Sequence, residues 1–598
     1  MTLRTRVVNA YKSTGFLQKP QSAIDAGADD FRPVSGLKPF IHMEPGSRTM
    51  WLNEDLAPTP PQMRTWSWLT FVSLWWGTNY TVGAWTQGSS LLSYGLSFGT
   101  TLGATIVGYI LIAAVAVGCA RVGSLYHIGY PVWARSTFGM HLSKFFVFLR
   151  MATAVIWFAV MNWYCAEMLD IGLLAVSPNG WGKIANKMPA SSHSTTREMV
   201  CFFICFCLHL PFAFVHPSMI KIIFEIKAVL LPAVSFGFLG GLIHLAGGSV
   251  NFSALNGTIA KGSKPDLGRY ANKPGAAMWP QAISLWAGMI IVTMMGLTAG
   301  AVSYQVWGVH SWNIWTICSL ILENDVSTSW RAGIFIFSII QIYATIGQNL
   351  FANNIPAAVD LASLWPTRIN IVRAQVFLMI FSWIVQPWSI LTSGTNFIKF
   401  LNSYTFFCGA MIAILLADYF IVRRGNIHVP SLFDANGNHA NHDGIYYNKP
   451  FGFNMIALVA WLCGIAIPLP GLVASYMDSY SSSMATFVKI YNSGFLISFG
   501  ISGAVYLVGM YFFPPSIVPI GREGDYDHSF EGLGKTDGYL PGDELVLYGR
   551  QTKYEVYQPH SETMRITENT ATSTGLDEEK KVAADAYAYS LPVHGNSQ

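Results

Sequence analysis

The feature that most constrains this chain is a series of apolar blocks, most of them about 20 residues or longer, repeated along most of its length. They fall near residues 67–96, 98–120, 144–175, 198–216, 219–246, 281–308, 331–352, 372–394, 397–422, 451–476 and 490–514. A helix rises about 1.5 Å per residue, so about 20 residues cross the hydrocarbon of a bilayer. Only 11% of the 598 residues are charged and 52% are hydrophobic, where soluble domains carry about 25% charge. The expected class is therefore an all-α polytopic membrane protein. Residues 1–65 and 515–598 are polar and flank a membrane domain over 66–514; the second tail has the composition of a disordered segment. Both tails are expected in the cytoplasm, where trafficking or ubiquitination machinery would dock. No apolar signal-peptide core lies within 1–65. The net charge of +4 is too small to suggest nucleic acid. The eight Cys form no C-x-x-C pair and have no zinc spacing. No nucleophile–base pair stands out, so neither metal, cofactor nor enzyme chemistry is expected.

Basic residues orient the loops. Arg48, Arg64, Arg121, Arg135, Arg368, Arg373, Arg423 and Arg424 all belong in the cytoplasm if the number of crossings is even. Eleven is odd. The conflict localises between the fifth and sixth blocks, where Lys261, Lys264, Arg269 and Lys273 should be cytoplasmic although the fifth block exits outside. A crossing is required near 247–265, and nothing there is long or apolar enough.

Polar side chains inside apolar blocks mark the candidate site, because an amide without a partner in hydrocarbon costs roughly 2–7 kcal/mol. "WWGTNYTVGAWTQGSS" in the first block carries Gly77, Asn79, Gly83 and Gln87, a pattern suited to a broken helix at the membrane midplane; packing by small residues is the alternative. In the third block Trp157 and Met161 share a helical face, with Asn162 beside them. An indole there would stack on a flat heterocycle or anchor the membrane interface. Glu167 lies in the same block, inside it or near the membrane surface. "GQNLFANNIP" places Gln348, Asn349, Asn353 and Asn354 within two turns. Asn349 and Asn353, four apart, could present a donor and an acceptor to a cyclic amide, or serve as amide glue between helices. Glu225 and Lys227, at the start of the fifth block, fit a structural role, since ions at a membrane edge pair or snorkel.

Long segments in order resemble the nucleobase:cation symporter-1 family of permeases for uracil, uridine, allantoin, cytosine–purine and thiamine, over roughly residues 48–435. The segments are "WLNEDLAPTPPQMRTW", "YHIGYPVWARSTFG", "GQNLFANNIPAAVDLASLWPTRINIVRA" and "FLNSYTFFCGAMIAILLADYFIVRRGNIHVPSLF". The resemblance implies a LeuT-like five-plus-five inverted repeat with two extra helices. It implies import of a small N-heterocycle across the plasma membrane by alternating access; a non-transporting receptor or inactive transporter is the alternative. It places Trp157 on the family's stacking tryptophan, Asn353 on its eighth-span asparagine, and Tyr404 or Phe406 near its tenth-span aromatic gate. Two departures stand out. Met161 replaces a glutamine, which points away from uracil toward thiamine, a pyridine vitamin or a nucleoside. Gly347 and Gln348 replace the Ser-Thr of sodium-coupled members, so a proton is the expected coupling ion, with Glu167 as candidate titrating group. "PDLGRYANKPGAAMWPQ" resembles the segment just after the sixth span, which makes that span truncated. Either coding sequence for about 20 residues is missing, or the cavity has lost a wall and transport suffers.

Overall fold

The computed structural model describes residues 50–514, apart from 54, 60–63, 91–97, 216–219, 253–277, 310, 312, 325–326, 393, 424, 426, 428, 430–431, 434–445, 447–450 and 478–480, and apart from the side chains of 87, 88, 190, 394–398 and 483. The first block forms two helices, α1 (Trp68–Asn79) and α2 (Val82–Ser90), broken at Tyr80–Thr81. A long span α3 (Phe98–Tyr126) leads through the short buried helix α4 (Tyr130–Phe138) to α5 (Leu142–Val176). Then come α6 (Thr196–His209), opened by a reciprocal cap between Thr195 and Glu198, and α7 (Lys221–Leu245). Next are α8 (Trp279–Trp307), the short α9 (Ile314–Asn324) and α10 (Thr328–Asn349). A π turn over Leu350–Asn354 joins α10 to α11 (Ile355–Leu364). The chain continues through α12 (Ile371–Phe381), α13 (Pro387–Ile390) and α14 (Gly394–Leu416), which ends in a second π turn, Ala417–Val422. It closes with α15 (Met455–Ala466), α16 (Leu469–Ser475), α17 (Ser482–Asn492) and α18 (Gly494–Phe512).

Every apolar block coincides with helix. Among the described residues eight helical stretches are long and apolar enough to span singly, nine if α15 and α16, bent by 42°, count as one. Two blocks fall short for identifiable reasons. The first is split at Tyr80–Thr81, and the eighth is interrupted by a 3-10 turn, Ser382–Val385, and by Gln386 at φ 50 before Pro387. The helices α4 and α9 lie outside the apolar blocks and were not expected from them.

The short sixth span expected near 247–265 falls mostly within 253–277, outside the described residues. The ends of that stretch are informative nonetheless. Gln305, near the C-terminus of α8, accepts from the Asn251 N–H at 3.0 Å and donates to the carbonyls of Ala246 and Ser249 at 3.1 Å. The C-termini of α7 and α8 therefore lie together, and Trp279 is at the far end of α8, about 40 Å away at 1.5 Å per residue. Consecutive spans α7 and α8 therefore run in the same direction.

On the face assigned to the cytoplasm, buried side chains tie the loops together. Arg135 of α4 donates to the carbonyls of Trp51 and Leu432, both at 2.8 Å, and lies over the rings of Trp51 and Phe433. Burial lowers its pKa to about 9, so it stays charged at neutral pH. Asp418 accepts from Thr137 Oγ1 at 2.9 Å and from Arg423 Nε and Tyr506 Oη at 2.8 Å. One carboxylate thus fastens α4, the end of α14 and α18 together.

A cysteine at Gly248 should react with a membrane-impermeant maleimide added to intact cells, and one at Trp279, the N-terminal end of α8, only after permeabilisation. Labelling of both from the same side would contradict the parallel arrangement of α7 and α8.

Candidate functional site

A break in a membrane helix exposes backbone groups that must find partners inside the protein. Here the partner is Gln341 of α10, whose amide accepts from the Val82 N–H at 3.1 Å and donates to the Tyr80 carbonyl at 3.2 Å. The Thr81 hydroxyl turns to the Thr78 carbonyl and to Gln348 Oε1. On the other side of the break, Lys227 of α7 donates from Nζ to Thr78 Oγ1 at 3.0 Å, with its side chain buried. Gly77 makes room for it, since a Cβ there would lie 2.8 Å from Lys227 Cγ. No carboxylate forms an ion pair with Lys227 among the described residues. Lys227 thus has a structural contact to the broken helix, whereas Glu225, two residues away on α7, points to a different face.

A cavity of about 190 Å³ opens beside the break. Trp75, Thr78, Asn79 and Ala84 of the broken helix line it, with Arg150, Thr153, Trp157 and Met161 from α5. Gln348, Ala352 and Asn353 come from α10 and its π turn, and α14 adds Tyr404, Thr405 and Cys408. Leu285 and Met289 of α8 close the side next to the broken helix. That closure depends on glycine. The Asn79 amide donates to the carbonyls of Ser284 and Leu285 at 3.1 Å, and a Cβ at Gly288 would lie 2.3 Å from its Nδ2. Two turns on, a Cβ at Gly296 would lie 2.9 Å from the Trp85 carbonyl.

Trp157 donates its indole N–H to Tyr404 Oη at 2.8 Å, and Phe400 packs against both rings. Met161 reaches over Gly83, where a Cβ would lie 2.8 Å from its Cε. Arg150 pairs with Asp360 of α11, with Nε 2.8 Å from Oδ2, and its guanidinium sits 3.9 Å over the Tyr130 ring. That buried pair ties α5 to α11 at the edge of the cavity.

The structure thus brings Asn79, Trp157, Met161, Gln348, Asn353 and Tyr404 to one cavity, with Gly77 and Gly83 packed behind it. Four other candidates lie elsewhere. Asn162 points away and donates to the Phe202 carbonyl of α6 at 3.3 Å. Asn349 is turned to α5 and α6, donating to the Phe158 carbonyl at 3.0 Å and to His209 at 3.3 Å. Phe406 is fully buried against Phe407 and Tyr491, so Tyr404 is the aromatic at the cavity. Glu167 lies among Trp163, Asp170, Arg197 and Glu198, away from the lining. The side chain of Gln87 lies outside the described residues. Sequence reasoning missed Gln341, Arg150 and Asp360; each is a polar residue within or beside an apolar block, the same signal that singled out Gln348 and Asn353.

A profile of the family described as "Permease for cytosine/purines, uracil, thiamine, allantoin" matches residues 58–501. The allantoin permease of Saccharomyces cerevisiae is 30% identical over 494 residues, covering 78% of this chain and 77% of that protein. The uracil permease of the same yeast is 28% identical over 497 residues, covering 79% and 77%. Among solved structures, Mhp1, a nucleobase-cation-symport-1 family transporter with bromovinylhydantoin bound, superposes with a TM-score of 0.59. It is 17% identical and covers 82% of this chain and 100% of its own. The chain belongs to this permease family and shares the LeuT-like fold of Mhp1; it is an integral membrane transporter and not an enzyme.

Gly288→Ala should push Asn79 off the α8 carbonyls, costing about 1–3 kcal/mol as an overpacked contact. Gly237→Ala on α7, where a Cβ meets nothing within 4 Å, should be neutral. Thermal melting of the two purified variants in one detergent checks the difference; equal melting temperatures would remove the close approach of α8 to the broken helix.

Proposed function

We propose that the chain imports a single-ring N-heterocycle with a lactam or ureide edge across the plasma membrane, by proton symport. The observation that carries this reading is the cavity: about 190 Å³, floored by an indole and edged by amides. An engineered protein cavity of about 150 Å³ holds one benzene ring. The space thus suits one ring better than a two-ring vitamin or a nucleoside. Trp157 supplies a flat apolar face, and Gln348 and Asn353 supply hydrogen-bonding edges. The relatives that transport allantoin and uracil support the same class. Met161, in place of the family's glutamine, narrows the hydrogen bonding available and favours a ring read mainly from the Asn353 side.

Proton coupling draws support from what fills the position of the family's Ser-Thr pair. Ile223 of α7 packs onto Gly347, where a Cβ would lie 2.6 Å from its Cγ2, and Gln348 is engaged by Thr81. The Lys227 amine occupies the break alongside them. A sodium ion about 4 Å from an ammonium would meet roughly 4 kcal/mol of repulsion at an effective dielectric constant of about 20. Glu167 lies off the cavity. Asp360 is held beside the cavity by its pair with the lining residue Arg150.

Uptake of labelled allantoin and uracil by a permease-deficient host expressing the chain tests both parts. Accumulation should rise as external pH falls, collapse with a protonophore and survive replacement of sodium. Asn353→Ala should abolish high-affinity uptake with surface expression retained. Sodium dependence at fixed pH would overturn the coupling; saturable binding without accumulation would establish the receptor reading instead.

A further inference from the structure

We propose that Lys227 and Thr78 link proton to substrate: protonation of the Lys227 amine turns the Thr78 hydroxyl into a donor for a ring carbonyl of the ligand. This deepens the proposed symport and rests on the cavity being the substrate site. Lys227 is fully buried, and its stem lies against the broken helix, where a Cβ at Gly77 would come within 2.8 Å of its Cγ. From there Nζ reaches Thr78 Oγ1 at 3.0 Å and lies 5.1 Å from the centre of the Phe224 ring. Thr78 lines the cavity and Lys227 lies behind it. The hydroxyl therefore stands between the amine and the space for the ligand. A helical threonine commonly returns its hydroxyl hydrogen to the carbonyl four residues back, as Thr86, Thr105 and Thr153 do. Thr78 does not: among the described residues its hydroxyl meets only Lys227.

An ammonium has three hydrogens and no lone pair. While Lys227 is charged, Thr78 Oγ1 accepts from it and keeps its own hydrogen for the ligand. When the amine is neutral, its lone pair can take that hydrogen, and the cavity then faces an oxygen that repels a carbonyl. Lysine suits this task because its amine can lose a proton, whereas a guanidinium stays charged. Proton and ligand carbonyl thus favour one another, and the effect is reciprocal. Affinity rises as pH falls through the Lys227 titration, and binding draws a proton onto the amine from solvent. The helices α1, α8 and α10 pack around α7. Neither α1 nor α8 carries an Asp, Glu, Lys, Arg or His, and Tyr80 at the break packs its ring on Trp76 and Phe236. On α10, Arg331 donates to the Ala175 and Val176 carbonyls, and the Tyr343 hydroxyl donates to the Ile223 carbonyl at 3.4 Å. On α7 itself, Lys221 and Glu225 act on each other one turn away. None of these groups forms an ion pair with Lys227 among the described residues.

The full chain, purified in detergent, is titrated calorimetrically with uracil, hydantoin and allantoin at several pH values. Each titration is run in two buffers of different ionisation heat, which counts the protons taken up per ligand bound. The wild type should bind at least one ring, take up a fraction of a proton with it, and bind about tenfold more tightly at the acid end of the range. Thr78→Val keeps the shape and removes the hydroxyl; proton uptake and the pH dependence of affinity should both vanish. Thr78→Ser should keep both. If Thr78→Val does not fold, Lys227→Met breaks the link from the other side and should bind with one affinity at every pH, without proton uptake. Wild-type binding without proton uptake would overturn the inference alone, as would undiminished uptake in Thr78→Val or Lys227→Met, or affinity that falls with falling pH. Protonophore-sensitive accumulation in cells would still stand in those cases. Failure of the wild type to bind any of the three rings would overturn the substrate reading, and this inference with it.

Discussion

The bidentate contact between Gln341 and the backbone of Tyr80 and Val82 is the interaction on which the site depends. In hydrocarbon each unsatisfied backbone group costs several kcal/mol, so a span cannot break without a substitute partner. One glutamine supplies an acceptor for the orphan N–H and a donor for the orphan C=O. It comes from α10, on the opposite side of the cavity from α8. The break therefore needs a polar partner at all times, and in this conformation α10 supplies it.

Amides carry much of the remaining polar load, and their division of labour is the notable point. Of the cluster at 348–354, Gln348 engages Thr81, Asn349 engages Phe158 and His209, and Asn354 donates to Gln375 at 3.2 Å. The cluster thus divides by neighbour. Asn349 and Asn354 hold α10 and its π turn against neighbouring helices. Gln348 and Asn353 stand at the cavity. Buried amides resist reorientation because each flip would set donor against donor.

Much of this was legible in the sequence. Apolar length marked every span, and Gly77, Asn79 and Gly83 marked the broken helix before any coordinates, because free backbone groups need small and polar residues around them. Trp157, Met161 and Asn353 followed from helical faces together with the family resemblance. What periodicity could not give was the neighbour each face meets. Asn162 and Asn349 lie next to cavity residues in sequence or on one helical face, yet α6 packs where each of them points. Phe406 and Tyr404 differ by two positions, about 200° around a helix, and only the packing of Tyr491 onto Phe406 decides between them. The sequence marked Lys227 for a structural role but not its partner, Thr78, which is 149 positions away.

The contacts around the cavity also divide by kind. Between the broken helix and α8 the approach is interlocked: Gly288 and Gly296 admit Asn79 and the Trp85 backbone at distances where one added methyl would collide. Such contacts do not slide, so α1, α2 and α8 form one body. Between α5 and α11 a buried ion pair likewise leaves no room for separation without stranding a charge. Where the broken helix meets α10, by contrast, the polar links are hydroxyl and amide contacts to Tyr80, Thr81 and Val82. Water or a ligand can take over each of those in turn at little net cost, since exchanging one hydrogen-bond partner for another is nearly neutral. Relative motion of the two bodies is therefore cheapest along the surface that carries the cavity. A transporter needs its weakest interface there, because the substrate must be reached first from one side of the membrane and then from the other.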